Sequence, residues 1–245
     1  AVVTADTKGA MAELNSETDF VARNDKFQEL AETIGQAALE AGVECADTLK
    51  TKTANGKTIE ALVTDGIATI GENLNLRRVA YLEEKGGVVV PYVLTAVKPG
   101  LGKIGVLVAL KSSGDKAKLA EFGRQVAMHV AAARPEALTR AEVPSDRLER
   151  EREVLKEQAI ASGKPVEIAE KMVEGRIRKF YEEIVLPEQI FVIDGKATVT
   201  EAMKAAEKEV GAPIELTGFR RFALGEGIEK KEEDFAAEVA KAANG

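Results

Sequence analysis

The 245-residue sequence has one cysteine, one histidine and no tryptophan. A single cysteine, Cys45, excludes an internal disulfide and a thiolate zinc cluster. With His129 as the only histidine, most metalloenzyme sites and Ser-His-Asp arrangements are also unexpected. We therefore expect no catalytic residues, no cofactor and no metal site, and a protein that is not an enzyme.

Long apolar runs and an excess of positive charge are also missing. No run approaches the roughly 18–20 residues of a membrane span, and no basic segment followed by an apolar one marks a secretory signal. Lys and Arg number 34 against 41 Asp and Glu, a net charge of -7, which argues against binding nucleic acid through its phosphates. We expect a soluble cytoplasmic protein without membrane or nucleic-acid partners. Because the sequence opens with Ala1, an upstream targeting segment, and hence an organelle matrix or stroma, is the alternative.

Apolar residues at three- and four-residue spacing predict two amphipathic helices. The first covers 25–41, begins at a cap formed by Asn24 or Asp25 and ends at Gly42. The second covers 115–133. Runs rich in β-branched residues predict strands at 76–82, 87–97 and 104–111.

The two halves of the sequence resemble each other. A Leu-Ala-Glu segment at 30–32 recurs at 119–121, and the arginine pair at 77–78 recurs at 220–221. The first match has an offset of 89 residues and the second of 143, which leaves 54 extra residues in the second half. Because the order is the same in both halves, an internal repeat of two related halves is predicted.

The extra residues predict an antiparallel helical hairpin that projects from the body. Its arms cover 145–162 and 165–184, and the seam between them is narrow and otherwise charged. The predicted seam sets Leu148, Leu155 and Ala159 against Ile168, Met172 and Phe180. Such an arm contacts a partner or forms a homodimer.

Apolar residues at helical spacing around Phe235 predict a C-terminal helix. The predicted domains are 1–86, then 87–143 with 190–227, the hairpin 144–189 and a C-terminal module 228–245.

Two other features resemble chemical sites. Residues 100–105 match G-x-G-x-x-G, but a predicted strand follows where a dinucleotide site needs a helix, so a glycine-rich hairpin is favoured. His129 lies in mid-helix and is expected at the surface or partly buried. The arginine pairs would form either a basic patch or salt bridges.

Residues 15–27 surround one phenylalanine with polar residues that commonly cap helices. Ser16, Thr18 and Asp19 are each candidate N-caps of a short helix. In one interpretation Phe20 is a hydrophobic staple onto the following helix. In the other, the ring stands beside the Asp19 carboxylate as an anchor for a partner's pocket. The segment alone leaves both open.

Several motifs together resemble the bacterial and organellar elongation factor Ts family. They are Thr18-Asp19-Phe20-Val21, Ile70-Gly71-Glu72-Asn73-Leu74-Asn75-Leu76-Arg77-Arg78, Ala127-Met128-His129-Val130, Ser162-Gly163-Lys164-Pro165 and Gly225-Glu226-Gly227-Ile228-Glu229-Lys230. The resemblance implies a guanine-nucleotide exchange factor for the GTPase elongation factor Tu. It also implies an α+β fold of two related subdomains with antiparallel sheets and packed helices, together with the protruding helical hairpin and the C-terminal helical module.

The resemblance implies which residues contact the partner. Thr18, Asp19, Phe20 and Val21 would enter the G domain of elongation factor Tu and disturb its magnesium and phosphate site. Further contacts are implied for Ile70, Gly71, Val192 and Phe235.

The sequence departs from the family in two ways, and alternative functions remain. A small helical N-terminal domain is missing from the sequence given, and Leu94 stands where many relatives have histidine. One alternative is therefore a GTPase-binding module without full exchange activity. Another is a nucleotide-dependent enzyme that uses the glycine hairpin.

Overall fold

The computed structural model describes residues 1–163 and 165–228, apart from the side chains at 166 and 169. The strands are β1 Val2–Ala5, β2 Lys8–Asn15, β3 Thr53–Ala54, β4 Lys57–Thr58, β5 Asn75–Glu83, β6 Gly87–Lys98, β7 Leu101–Lys111 and β8 Glu215–Ala223. The helices are α1 Asp25–Ala41, α2 Ala46–Lys50, α3 Ile59–Ile70, α4 Lys116–Ala133, α5 Ser145–Ala161, α6 Val166–Ile184 and α7 Val199–Val210. The fold is α+β, as the sequence predicts. Within the described ranges, no helix is both long and apolar enough to cross a membrane.

The first half is a three-stranded antiparallel sheet in the order β1-β2-β5, with α1 packed on it. The Asn24 carboxamide oxygen accepts hydrogen bonds from the backbone N–H groups of Lys26 (2.9 Å) and Phe27 (3.3 Å) and so begins α1. Gly42, at φ 60°, ends it in the left-handed conformation that glycine adopts readily. The predicted helix and both of its ends are confirmed, with Asn24 rather than Asp25 as the cap.

The second half is a sheet in the order β6-β7-β8, with α4 on its outer face. The glycine-rich segment forms the β6–β7 hairpin, so the hairpin interpretation is confirmed. A Cβ at Gly105 would lie 2.7 Å from Val2 Cγ2 and 3.1 Å from Met11 Sδ. The last glycine of the motif therefore lets the first sheet approach the second, and β7 continues where a dinucleotide site needs a helix.

The two sheets pack face to face. Along β6, Val88 and Val90 belong to the core under α4, whereas Val89 belongs to a separate cluster between the sheets. This alternation is the two-residue period of a strand buried on both faces. Met11 and Leu107 fill the centre of the inter-sheet cluster. The layers therefore follow the order helix, sheet, sheet, helix.

The internal repeat is present, but its register differs from the sequence match. The helices α3 and α7 have 12 residues each and begin at 59 and 199, whereas β5 and β8 have nine each and begin at 75 and 215. Both offsets are 140 residues. Arg77 therefore occupies the position in β5 that Thr217 occupies in β8. The offset of 143 residues, which aligned the two arginine pairs, does not match structurally equivalent positions and is wrong.

The hairpin is formed by α5 and α6, but its seam differs from the predicted one. Leu155 packs against Val173 and Ile177, whereas Ile168 is exposed. Phe180 packs instead at the base of the arm, beside Ile184. Two adjacent stripes of α6 carry apolar residues at helical spacing, and Val173 and Ile177 belong to the stripe that faces α5.

The small seam leads to a prediction about the arm. Replacing residues 152–177 with a short glycine-serine linker should leave the body folded, because the removed apolar side chains pack mainly on one another. The base is retained, including the bond from Glu136 N to Ile184 O. We expect one cooperative thermal transition, shifted by a few degrees at most.

Leu110→Ala is the control for that deletion, because Leu110 is fully buried under α4. It should cost about 2–5 kcal/mol. Loss of cooperative unfolding in the arm deletion would contradict an arm that is independent of the body.

Candidate functional site

A short loop between β2 and α1 carries the candidate partner-binding segment. Residues Val21–Arg23 form one 3-10 turn whose N-cap position is Phe20, with no side chain capping it. The expectation that Ser16, Thr18 or Asp19 caps a helix here is wrong. The helical segment is a single 3-10 turn of three residues, and the Thr18 hydroxyl donates to the Glu72 carboxylate instead of capping it.

Phe20 and Val21 face opposite environments. The Phe20 residue is 85% exposed, whereas Val21 is 6% exposed and belongs to the core of the first half. The staple interpretation of Phe20 is therefore wrong, because Val21 makes the buried contact. Asp19 is also exposed, and its carboxylate lies 4.0 Å from the Lys103 ammonium group on β7. The loop thus presents an aromatic ring and a carboxylate side by side.

Glu72 fixes the start of this loop. Its carboxylate accepts from the Thr18 backbone N–H (3.0 Å) and from the Thr18 hydroxyl (2.5 Å). Glu72 follows directly after Gly71, which ends α3 in the left-handed conformation at φ 83°. Ile70 packs partly against the first core, and Gly71 is exposed. Two candidate segments that are distant in sequence are therefore adjacent in the fold.

Val192 lies on the other half, in a segment with exposed apolar side chains. Its residue is 45% exposed, and its neighbours Ile190 and Ile193 are exposed as well. Between them, Phe191 is buried against the core of the second half. The alternation therefore holds Val192 outward.

His129 supports that segment from below and is fully buried, contrary to the expectation of a surface or partly buried residue. Its Nδ1 accepts from the Val192 backbone N–H (3.2 Å), so Nε2 carries the proton and donates to the Gln189 side-chain oxygen (2.8 Å). Burial lowers the pKa of His129 below its ordinary value, against an opposing effect of the Gln189 hydrogen bond. The imidazole is therefore a neutral structural link between α4 and the segment that contains Val192.

The arginine pairs form salt bridges instead of an open basic patch. Arg77 and Arg78 both bind the carboxylate of Glu13, which lies buried on β2. Arg78 also donates to the Ala223 carbonyl at 2.9 Å, and Arg77 donates to the Glu226 carbonyl at 2.6 Å. This Glu13 cluster therefore joins the first sheet to the end of β8 and the turn after it.

The ionisation of Glu13 leads to a prediction. Burial opposes its charge, but the hydrogen bonds from Arg78 and Arg77 outweigh burial and lower the pKa of Glu13. Because the folded-state pKa is the lower one, the charged group stabilises the fold above its unfolded-state pKa. That contribution is lost as the pH falls through the folded-state pKa.

Glu13→Gln should therefore lower the free energy of unfolding at pH 7 by about 3 kcal/mol, since it leaves two arginines without their carboxylate. It should also flatten the dependence of stability on pH below about 4.5. Denaturant titrations between pH 3 and 7 test both effects. Equal pH profiles for Glu13→Gln and the unmodified chain would contradict this assignment.

In the described residues, no group of three or more histidine, cysteine, aspartate or glutamate side chains could hold a metal ion. The predicted C-terminal helix with Phe235 lies outside the described residues.

Sequence reasoning did not select Glu72 or Glu13. Glu72 was within a family motif, but its contact with Thr18 spans 54 residues of sequence, and no local pattern indicates it.

The fold and this site define a class: an α+β protein of two face-to-face antiparallel sheets that presents an aromatic and a carboxylate on one anchored loop. A family sequence profile described as "Elongation factor TS" matches residues 17–226. The chain belongs to the elongation factor Ts family, and thus to the translation elongation factors.

Curated relatives cover nearly all of the chain. It is similar to "Elongation factor Ts" of Rhodospirillum rubrum, with 61% identity over 241 residues that cover 98% of this chain and 78% of the relative. The protein of the same name from Rhodospirillum centenum is 54% identical, covering 99% of this chain and 79% of the relative. That from Bartonella quintana is 53% identical, covering 100% and 80%.

Proposed function

We propose that the chain is a guanine-nucleotide exchange factor that binds elongation factor Tu·GDP and promotes release of GDP. The observation that carries the proposal is the 85% exposure of Phe20 beside the exposed Asp19. A large aromatic side chain held in water on an anchored loop is the form that a binding anchor takes. Membership of the elongation factor Ts family supports elongation factor Tu as the partner.

The proposed mechanism is physical and involves no covalent step. The Phe20 ring enters a pocket of the partner's G domain, with Asp19 at its side, and shifts the loops that hold magnesium and the phosphates. Burial of the ring supplies about 1.5–3 kcal/mol. Since ~1.4 kcal/mol changes an affinity tenfold, that energy is enough to weaken GDP binding by one or two orders of magnitude.

Coupling of this kind is reciprocal. If the exchange factor lowers the affinity of the partner for GDP, then GDP lowers the affinity of the partner for the exchange factor by the same ratio. Rebinding of nucleotide therefore releases the factor. A nucleophile or general base is not needed at any step.

The other proposed contacts lie on both halves. Ile70 and Gly71 adjoin the loop through Glu72, so they belong to the same surface as Phe20. Val192 stands on the second half and would contact another domain of the partner. Phe235 and the C-terminal module complete the proposed interface, and the arm is proposed to contact a partner or a second copy.

The central test is Phe20→Ala. It should slow the release of fluorescent GDP from elongation factor Tu at least tenfold, because burial of the ring supplies the energy that weakens GDP binding. The melting temperature should change little, because the ring is exposed in the isolated chain. Stopped-flow release at several factor concentrations and thermal unfolding measure the two effects.

Phe122→Ala controls for general effects of truncation. It removes a buried aromatic of α4 and should cost about 3–5 kcal/mol of stability. Normal GDP release by Phe20→Ala would refute the proposal, and tight binding of elongation factor Tu by the unmodified chain without faster release would favour a binding module instead.

A further inference from the structure

We infer that Glu72 is a positioning residue for exchange: its carboxylate holds the Phe20 loop in the conformation that binds the partner. This inference rests on the proposed function of that loop. It adds a residue that acts through Thr18, not by touching the nucleotide site.

The geometry of the contact supports the inference. Both carboxylate oxygens are used, one for the Thr18 backbone N–H and one for the Thr18 hydroxyl. Two hydrogen bonds from one residue to one carboxylate fix the orientation of that residue as well as its position. The bonds are made two residues before Phe20, where they set the direction in which the chain enters the 3-10 turn.

Most of the other contacts that anchor the loop lie after the ring. Val21 is buried in the first core, the Asn24 N–H donates to the Val21 carbonyl (2.9 Å), and the Gln28 amide donates to the Ala22 carbonyl (2.9 Å). Before the ring, Ser16 Oγ bonds only within the loop, to the Thr18 carbonyl (3.1 Å). The Asp19 carboxylate lies 4.0 Å from the Lys103 ammonium group, but both side chains are exposed. The two bonds from Thr18 to Glu72 are therefore the short contacts that tie the N-terminal side of the ring to another element.

Glu72 is itself held by the fold. Gly71 donates its backbone N–H to the Ile67 carbonyl at 2.9 Å and ends α3, and Leu74, two residues after Glu72, is buried in the first core. The carboxylate thus projects from a turn with fixed ends. It transmits the position of α3 to the Phe20 loop.

A loop that loses this contact spends less time in the binding conformation. The apparent affinity for the partner then falls in proportion to the population of the binding conformation. The rate of GDP release in the formed complex stays the same. Glu72 and Phe20 should therefore differ in kinetics. Loss of the ring lowers the maximal rate of release, and loss of the carboxylate raises the half-saturating concentration.

Glu72→Gln is the direct test, since the amide keeps the size of the side chain but only one acceptor oxygen. With elongation factor Tu carrying fluorescent GDP, the half-saturating concentration should rise about fivefold to tenfold. The maximal rate should stay within about twofold of the unmodified chain, as expected for a change in population alone. Hydrogen exchange should show faster exchange of the Thr18 amide, without any partner present.

Variants of the bonded partner show whether the bond itself is responsible. Thr18→Val should resemble Glu72→Gln, and the double variant Thr18→Val/Glu72→Gln should be no worse than whichever single variant has the higher half-saturating concentration. In a Phe20→Ala background, Glu72→Gln should have little further effect on the half-saturating concentration.

Glu207→Gln is the matched control. The Glu207 carboxylate, on α7, accepts a backbone N–H from Ile214 at 3.0 Å, and Ile214 follows α7 as Leu74 follows α3. It should leave GDP release unchanged. An unchanged half-saturating concentration in Glu72→Gln, while Phe20→Ala still slows release, would overturn the positioning role and leave the proposed function standing. Normal release by Phe20→Ala would instead refute the proposed function.

Discussion

Val21 is buried in the first core while its neighbour Phe20 remains in water, and the proposed activity depends on this contrast. Burying the ring within the chain would have stabilised the fold by about 1.5–3 kcal/mol. The isolated chain does not gain that energy, because Val21 takes the inward position. On the N-terminal side of the ring, the hydrogen bonds from Thr18 to Glu72 hold the backbone. The same energy is then available when the ring enters a partner.

The packing of the two sheets fixes the distance between the surfaces proposed for the partner. The Phe20 loop belongs to the first half and Val192 to the second, and the sheets between them share a buried cluster around Met11 and Leu107. The Glu13 cluster adds charged hydrogen bonds from the first sheet to the end of β8. Interiors packed in this way resist deformation. A force that the proposed partner applies at Phe20 can therefore be balanced at its contact with Val192.

Local patterns predicted the elements of the fold well. The spacing of apolar residues predicted α1, and the residues at its ends predicted Asn24 or Asp25 as its cap and Gly42 as its end, since these signals depend on neighbouring residues only. Features that depend on distant contacts were harder to predict. The burial of His129 requires Gln189, 60 residues away, and neither residue indicates the other in the sequence.

The candidate site shows the same division. The family resemblance selected Phe20, but the residues around it allowed a buried staple as readily as an exposed anchor. What separates the two is whether Phe20 or Val21 points inward. Thr18, two residues before the ring, bonds to Glu72, 54 residues away in sequence, so the local sequence does not indicate the direction of the ring. Under the proposed function, a change at the junction between this loop and the turn after α3 should alter binding of the partner before it alters the stability of the sheets.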